Sequence, residues 1–168
     1  LNTVLTRIDA MAKRRGTRYS VYVLARYWYE LDEFRDALRD RYSGLEDVKF
    51  STVHGAKGLE ADFVVMVGLE AGRNGFPADK PVDSFQEMFL PPQEAYPFAE
   101  ERRLFYVALT RARHRVYLLF DAVSHSPFIR ELTSGGYPIE EREFSGDFIQ
   151  AELPVVPCPR CASGELRP

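Results

Sequence analysis

Thr52-Val53-His54-Gly55-Ala56-Lys57-Gly58-Leu59-Glu60, followed after Ala61 by Asp62-Phe63-Val64-Val65-Met66-Val67, is the stretch that decides the fold. The second part is an apolar run beyond a turn, as a strand buried on both faces reads. The first part is a strand-to-turn junction with two glycines, a small alanine, a lysine and a glutamate. That make-up suits close approach of the backbone to a ligand, against the plainer alternative of an ordinary turn. Upstream, Val48–Val53 reads as a strand, and so does Tyr19–Ala25, which is β-branched, aromatic and nearly all apolar. Between them Leu31, Phe34 and Leu38 recur at helical spacing through about Arg41, and Ser43-Gly44 closes that helix. Residues 1–16 read as an amphipathic helix with Val4, Leu5, Ile8, Met11 and Ala12 on one face and Gly16 at its end.

Downstream the texture changes. From Glu70 to Phe98, Gly72, Gly75 and the prolines between Pro77 and Pro97 interrupt any periodicity, which predicts a long surface excursion. A helix is expected from about Ala99 to Ala112, with Glu100 and Glu101 at the positive end of its dipole. A strand follows over Arg115–Phe120, then a short helix over Ser126–Leu132 that Gly135-Gly136 breaks. An edge strand is expected near Glu143–Phe148, and residues from Pro154 onward read as a linker. Apolar strands alternating with helices indicate an α/β domain over residues 1–153, its mainly parallel sheet covered on both faces. Working residues in such sheets are expected beyond the C-terminal ends of the strands.

The chain has 168 residues, enough for one domain with a sizeable core. Its 45% hydrophobic and 28% charged residues are ordinary for a globular protein. Net charge is −3, with 22 Lys+Arg against 25 Asp+Glu, which argues against a stand-alone nucleic-acid binder. It leaves room for one half of a cleft whose phosphate contacts are local. No apolar run approaches the roughly 20 residues of a membrane-spanning helix, so no membrane partner is expected. No secretory leader is visible at Leu1-Asn2-Thr3-Val4, and a cytoplasmic location is the default expectation. A chain opening on Leu1 is expected to be part of a longer polypeptide.

Two arginines invite attention. Arg26 appears as the apolar strand Val23-Leu24-Ala25 finishes, and taken alone it reads as a surface residue capping a strand. Arg111 closes the segment Glu100-Glu101-Arg102-Arg103-Leu104-Phe105-Tyr106-Val107-Ala108-Leu109-Thr110-Arg111-Ala112-Arg113. There Leu104, Val107, Ala108 and Arg111 share one helical face, so a guanidinium sits at the end of a face that is otherwise core. A cation on a buried side needs an anionic partner. That partner is either a carboxylate of the same domain or a phosphate, which the planar guanidinium suits.

The string Thr52–Glu60 and the string Glu100–Ala112 resemble motifs V and VI of superfamily 1 DNA helicases of the UvrD/Rep/PcrA type, almost residue for residue. Val23-Leu24-Ala25-Arg26 is similar to motif IV, in the right order. The resemblance covers about residues 20–121 and implies a RecA-like, three-layer domain of the P-loop NTPase type, the second motor domain of an ATP-dependent DNA helicase. It implies that Arg26 and Arg111 reach the γ-phosphate of ATP as arginine fingers. It further implies that Glu60 contacts the nucleotide near its ribose and that Gly58 lets the backbone approach. Thr52 and His54, with Lys57, are implied to face single-stranded DNA, and unwinding of duplex DNA is expected to run 3′ to 5′.

The phosphate loop and the acidic pair for Mg2+ are missing from the sequence, and the resemblance assigns them to a first RecA-like motor domain as partner. The chain alone is therefore expected to be inactive. No inserted domain separates Arg26 from Thr52, and the tail Cys158-Pro159-Arg160-Cys161 resembles the first knuckle of a zinc ribbon. Both features point to the helicase IV branch of the family. A non-catalytic RecA-like interaction module, or the helicase part of an AddA/RecB-type nuclease–helicase, are the alternatives. Intact Arg26, Glu60 and Arg111 count against the first, and the ribbon-like tail against the second. Cys158 and Cys161 offer half of the four ligands a structural Zn2+ wants, so the chain should bind zinc weakly or not at all. Retention of stoichiometric zinc through gel filtration of a monomeric chain is the result that contradicts this.

Overall fold

The computed structural model describes residues 1–37, 42, 44–72, 74–78, 96–143, 156–157 and 165–166. Four parallel strands form its sheet: β1 (Tyr19–Ala25), β2 (Leu45–Thr52), β3 (Ala61–Met66) and β4 (Ala112–Leu118), in the order β2-β1-β3-β4. The central strands β1 and β3 are apolar apart from Ser20 and Asp62 near their starts, because both of their faces are covered. The outer strands carry charges such as Lys49, Arg113 and Arg115, which suits exposed sheet edges.

Alternation along the central strands divides the core in two. Tyr19, Val21, Val23 and Ala25 of β1, with Phe63, Val65 and Val67, pack against helices α1 (Asn2–Arg15) and α2 (Tyr29–Ala37). Tyr22, Leu24, Val64 and Met66 face the other way. They meet Val53 and Ala56 of the crossover, Phe105 and Ala108 of α3 (Ala99–Leu109), and Phe128 and Ile129 of α4 (Pro127–Ser134). Helix, sheet and helix therefore form three layers, the RecA-like α/β architecture that the sequence predicts.

Several boundaries differ from expectation. Helix α3 ends at Leu109 and β4 begins at Ala112, three residues before the predicted start. Exposed Arg113 and His114 look like turn residues in sequence, but on an edge strand they simply point to solvent. Helix α1 ends as predicted, with Gly16 in the left-handed region at φ 62°. The expected strand near Glu143–Phe148 lies almost wholly outside the described residues, as does most of the excursion at 70–98. In the tail, β5 (Val156–Pro157) pairs antiparallel with β6 (Glu165–Leu166).

Residues 74–78 are pinned onto the second core face. Phe76 is fully buried, edge-on to Phe105 and Phe128 at 5.6 and 6.0 Å between ring centres. Ser126, also fully buried, caps α4: its Oγ accepts from the Phe128 amide at 3.1 Å and donates to the Phe76 carbonyl. Ser126→Ala leaves a buried amide and a buried carbonyl without that partner. It should destabilise the fold by about 1–3 kcal/mol, read as a lower urea midpoint at unchanged m-value.

Candidate functional site

The residues of the three quoted strings end up at both ends of the sheet. Register fixes this: Ala25 lies opposite Thr52, while Ala61 lies opposite Ala112 and at the level where β1 begins. Arg26, Thr52 and His54 therefore stand at the C-terminal edge of the strands, and Glu60, Arg111 and Arg113 at the N-terminal edge. Six residues of strand separate the two levels, roughly 20 Å.

At the C-terminal edge, Arg26 is clamped by Glu101 from the first turn of α3. Its Nε donates to both Glu101 oxygens at 3.1 and 3.0 Å, and its Nη2 to Oε1 at 2.7 Å. The side chains are only 17% and 12% exposed. Burial disfavours the Arg26 cation, but the Glu101 hydrogen bonds and charge outweigh it and raise its pKa above the ordinary arginine value. The Arg26 Nη1 lies 3.3 Å from His54 Nδ1, and the Ala78 amide donates to Glu101 Oε2 at 3.3 Å. Thr52 Oγ1 accepts from the Gly55 amide at 3.2 Å, which fixes the turn that presents His54.

At the opposite edge, the Arg111 guanidinium rests on neutral acceptors. Nε donates to the Val107 carbonyl at 2.9 Å, Nη1 to the Leu59 carbonyl at 3.3 Å, and Nη2 to the Thr110 hydroxyl at 3.2 Å. Among the described residues no carboxylate pairs with it. Glu60 is instead taken by Arg113, Nε to Oε2 at 3.3 Å, with both side chains largely exposed. Beside them Asp62 receives the Ser20 amide and hydroxyl at 2.9 and 2.8 Å, and His114 Nε2 lies 3.7 Å away. Burial opposes ionisation of Asp62, yet Ser20, then His114 and Arg113, outweigh it and hold the carboxyl below the usual aspartate range.

Two expectations need correction. Arg26 and Arg111 do not open onto one edge, so a single phosphate cannot be served by both from within this domain. Arg26 is also not free but held in an internal ion pair. The nucleotide-type residues Glu60 and Arg111 lie beyond the N-terminal ends of the strands, against the expectation of the C-terminal ends. The cause is the strand order: the segment 53–60 leaves β2 at one edge and enters β3 at the other. Gly58 has φ 82° with open space around its α-carbon, so backbone conformation is what requires glycine there. Lys57 is exposed midway along that segment. Cys158 and Cys161 lie outside the described residues.

The sequence suggested for Glu101 only a place at the positive end of a helix dipole, and for Arg113 no role, yet these are the partners of Arg26 and Glu60. A signal for Glu101 was present in its spacing. It precedes Arg111 by ten positions, about 15 Å of helix, too far for both to serve one site.

Known proteins resemble this chain in sequence. A model of the UvrD-like helicase C-terminal domain matches residues 9–122. DNA helicase IV of Escherichia coli (strain K12) is 39% identical over 142 residues, covering 84% of this chain and 20% of that protein. A probable DNA helicase II homolog of Mycoplasma capricolum is 31% identical over 134 residues, 70% of this chain and 17% of its own length. The ATP-dependent DNA helicase PcrA of Bacillus subtilis is 36% identical over 83 residues, 49% of this chain and 10% of PcrA. The chain thus spans about a fifth or less of the length of these relatives. With a match over most of its residues and the three-layer parallel sheet to go with it, the chain belongs to the family of UvrD-like helicase C-terminal domains.

Proposed function

We propose that the chain is the second motor domain of an ATP-dependent DNA helicase, with its nucleotide edge and its DNA edge at opposite ends of one sheet. The observation that carries this reading is the path of residues 52–60, which leave Thr52 and His54 at one edge and bring Glu60 beside Arg111 at the other. Arg111, oriented by carbonyls and a hydroxyl and unpaired with any described carboxylate, supplies the positive charge for phosphoryl transfer. Glu60 contacts the nucleotide near its ribose and Gly58 forms the bend that places it.

Thr52, His54 and Lys57 line single-stranded DNA. We place Arg26 at that DNA edge, since it stands at the opposite end of the strands from Arg111 and is paired with Glu101. A first motor domain of the same polypeptide contributes the phosphate loop and the magnesium ligands. Unwinding in the 3′-to-5′ direction is carried over from the resemblance.

The purified chain should hydrolyse no ATP above background, since no phosphate loop is present in its sequence. Magnesium-dependent turnover that copurifies with the chain through orthogonal columns would sink that expectation. In the intact helicase, Arg111→Ala should lower kcat roughly 10³-fold or more, the scale of a missing arginine finger, while nucleotide-free DNA binding changes little. Arg111→Lys should rescue poorly, because a point charge cannot reproduce the planar fork. Near-normal steady-state ATPase in the alanine variant is the outcome that removes Arg111 from catalysis.

A further inference from the structure

The turn between β1 and α2 reads Arg26-Tyr27-Trp28-Tyr29, and its aromatic residues have different fates. The Arg26 guanidinium lies over the Tyr27 ring, 4.9 Å from its centre. Tyr27 and Tyr29 stack on one another at 5.4 Å, nearly parallel at 11°, and the Tyr29 hydroxyl donates to the Asn74 carbonyl at 3.3 Å. The backbone between them is fixed. The Tyr27 amide donates to Glu30 Oε2 at 2.9 Å, and the Leu31 amide to the Trp28 carbonyl at 2.9 Å, which starts α2. Trp28 alone among the three is unused: it is 50% exposed, and among the described residues its indole makes no ring contact and its N–H no hydrogen bond.

An indole left in water forgoes the stabilisation that burial of so large a ring would bring. Here that ring stands on a rigid turn, one residue from the tyrosine pair and two from Arg26, which touches His54. We propose that Trp28 is a base-stacking residue, its indole taking the face of an unpaired base of single-stranded DNA at the C-terminal edge of the sheet. An exposed aromatic face on a fixed turn, on which any base can stack without hydrogen-bond readout, is what sequence-tolerant single-strand binding uses. Bases within a duplex are already stacked on their neighbours and offer no such face. The exposed apolar surface at the turn is small, Trp28 and Tyr29, flanked in sequence by Arg26 and Glu30, which argues against the broad patch of a protein partner. The inference rests on the DNA-edge assignment made above and adds to it a residue and a mode of contact.

Trp28 is the only tryptophan in the chain, so intrinsic emission reports on this position alone. The chain is titrated with a fluorescein-labelled oligothymidylate of about ten nucleotides, within the range of single-strand site sizes, following label anisotropy and tryptophan emission in parallel. Emission should be quenched along the same isotherm as the anisotropy rise. Trp28→Ala should weaken binding about tenfold and Trp28→Phe much less, the scale of one lost base–aromatic stack. Thermal melts of both variants should stay close to the parent's, because the indole is half exposed and makes no hydrogen bond or ring contact among the described residues. Binding without quenching, or an alanine variant of parental affinity, overturns the stacking role and leaves the DNA edge standing. An absence of any anisotropy change by the parent chain overturns the DNA edge and the stacking role together. Quenching that rises with protein concentration in the absence of DNA identifies a second copy as the occupant and overturns the proposal.

Discussion

The arrangement depends on one short connection. Strands β2 and β3 are parallel but not adjacent, since β1 lies between them. Residues 53–60 must therefore climb over β1 from the C-terminal edge to the N-terminal edge, a span of roughly 20 Å. Eight residues reach at most about 26–29 Å when extended and only about 12 Å as a helix. A single helical turn followed by an extended end meets the distance, and that is the observed path. The Ala56 amide bonds back to Thr52 and the Leu59 amide to Ala56, after which the chain straightens into Ala61. Val53 and Ala56 are fully buried because they lie flat on the sheet, and a larger residue than Ala56 has no room there. The residues that remain for chemistry are those the crossing leaves over: Thr52 and His54 where it departs, Glu60 where it arrives.

Helix α3 is a second span between the same two edges, running the opposite side of the crossover within one layer. Its first turn holds Glu101 on Arg26, and just past its end the Arg111 carbonyl accepts from the Ala61 amide at 3.0 Å. Phe105 and Ala108 press its middle onto the core. Removing one partner of a buried, multiply bonded ion pair costs about 3–5 kcal/mol, so the Glu101 end is not readily released. A rigid helix anchored at both ends transmits displacement instead of absorbing it. The two edges thus share two packed connections.

How much of this was legible follows from what sequence periodicity measures. Strands β1 and β3 were plain because burial on both faces leaves an unbroken apolar run. Strand β4 was placed late because its first half faces solvent and reads as a turn. The residue types of the site were legible in the strings Thr52–Glu60 and Glu100–Ala112. Their division between two edges was not, because order along the chain does not say which strands become neighbours. Arg26 and Arg111 look alike on paper, each following an apolar stretch. Only the register of β1, β2 and β3 puts them at opposite ends. Gly58 was read as allowing a ligand's approach, whereas its left-handed backbone already demands glycine within the chain.

The contrast between the two guanidiniums is the last step. Arg26 is neutralised by a carboxylate at 2.7 Å, so it is a fixed structural cation with little charge to spare. Arg111 is held by two carbonyls and a hydroxyl, acceptors that orient a guanidinium without cancelling its charge. The nearest candidate for cancelling it is Glu60, next in sequence to the Leu59 carbonyl that Arg111 touches. Arg113 takes that carboxylate instead. Because the Glu60–Arg113 pair is exposed, it is worth about 1 kcal/mol or less and yields easily to a better partner. Two residues apart on the same edge strand and its approach, one arginine therefore keeps the acid occupied while the other stays available to an anion. This edge therefore presents a preoriented positive fork and, beside it, a carboxylate that its exposed partner releases at small cost.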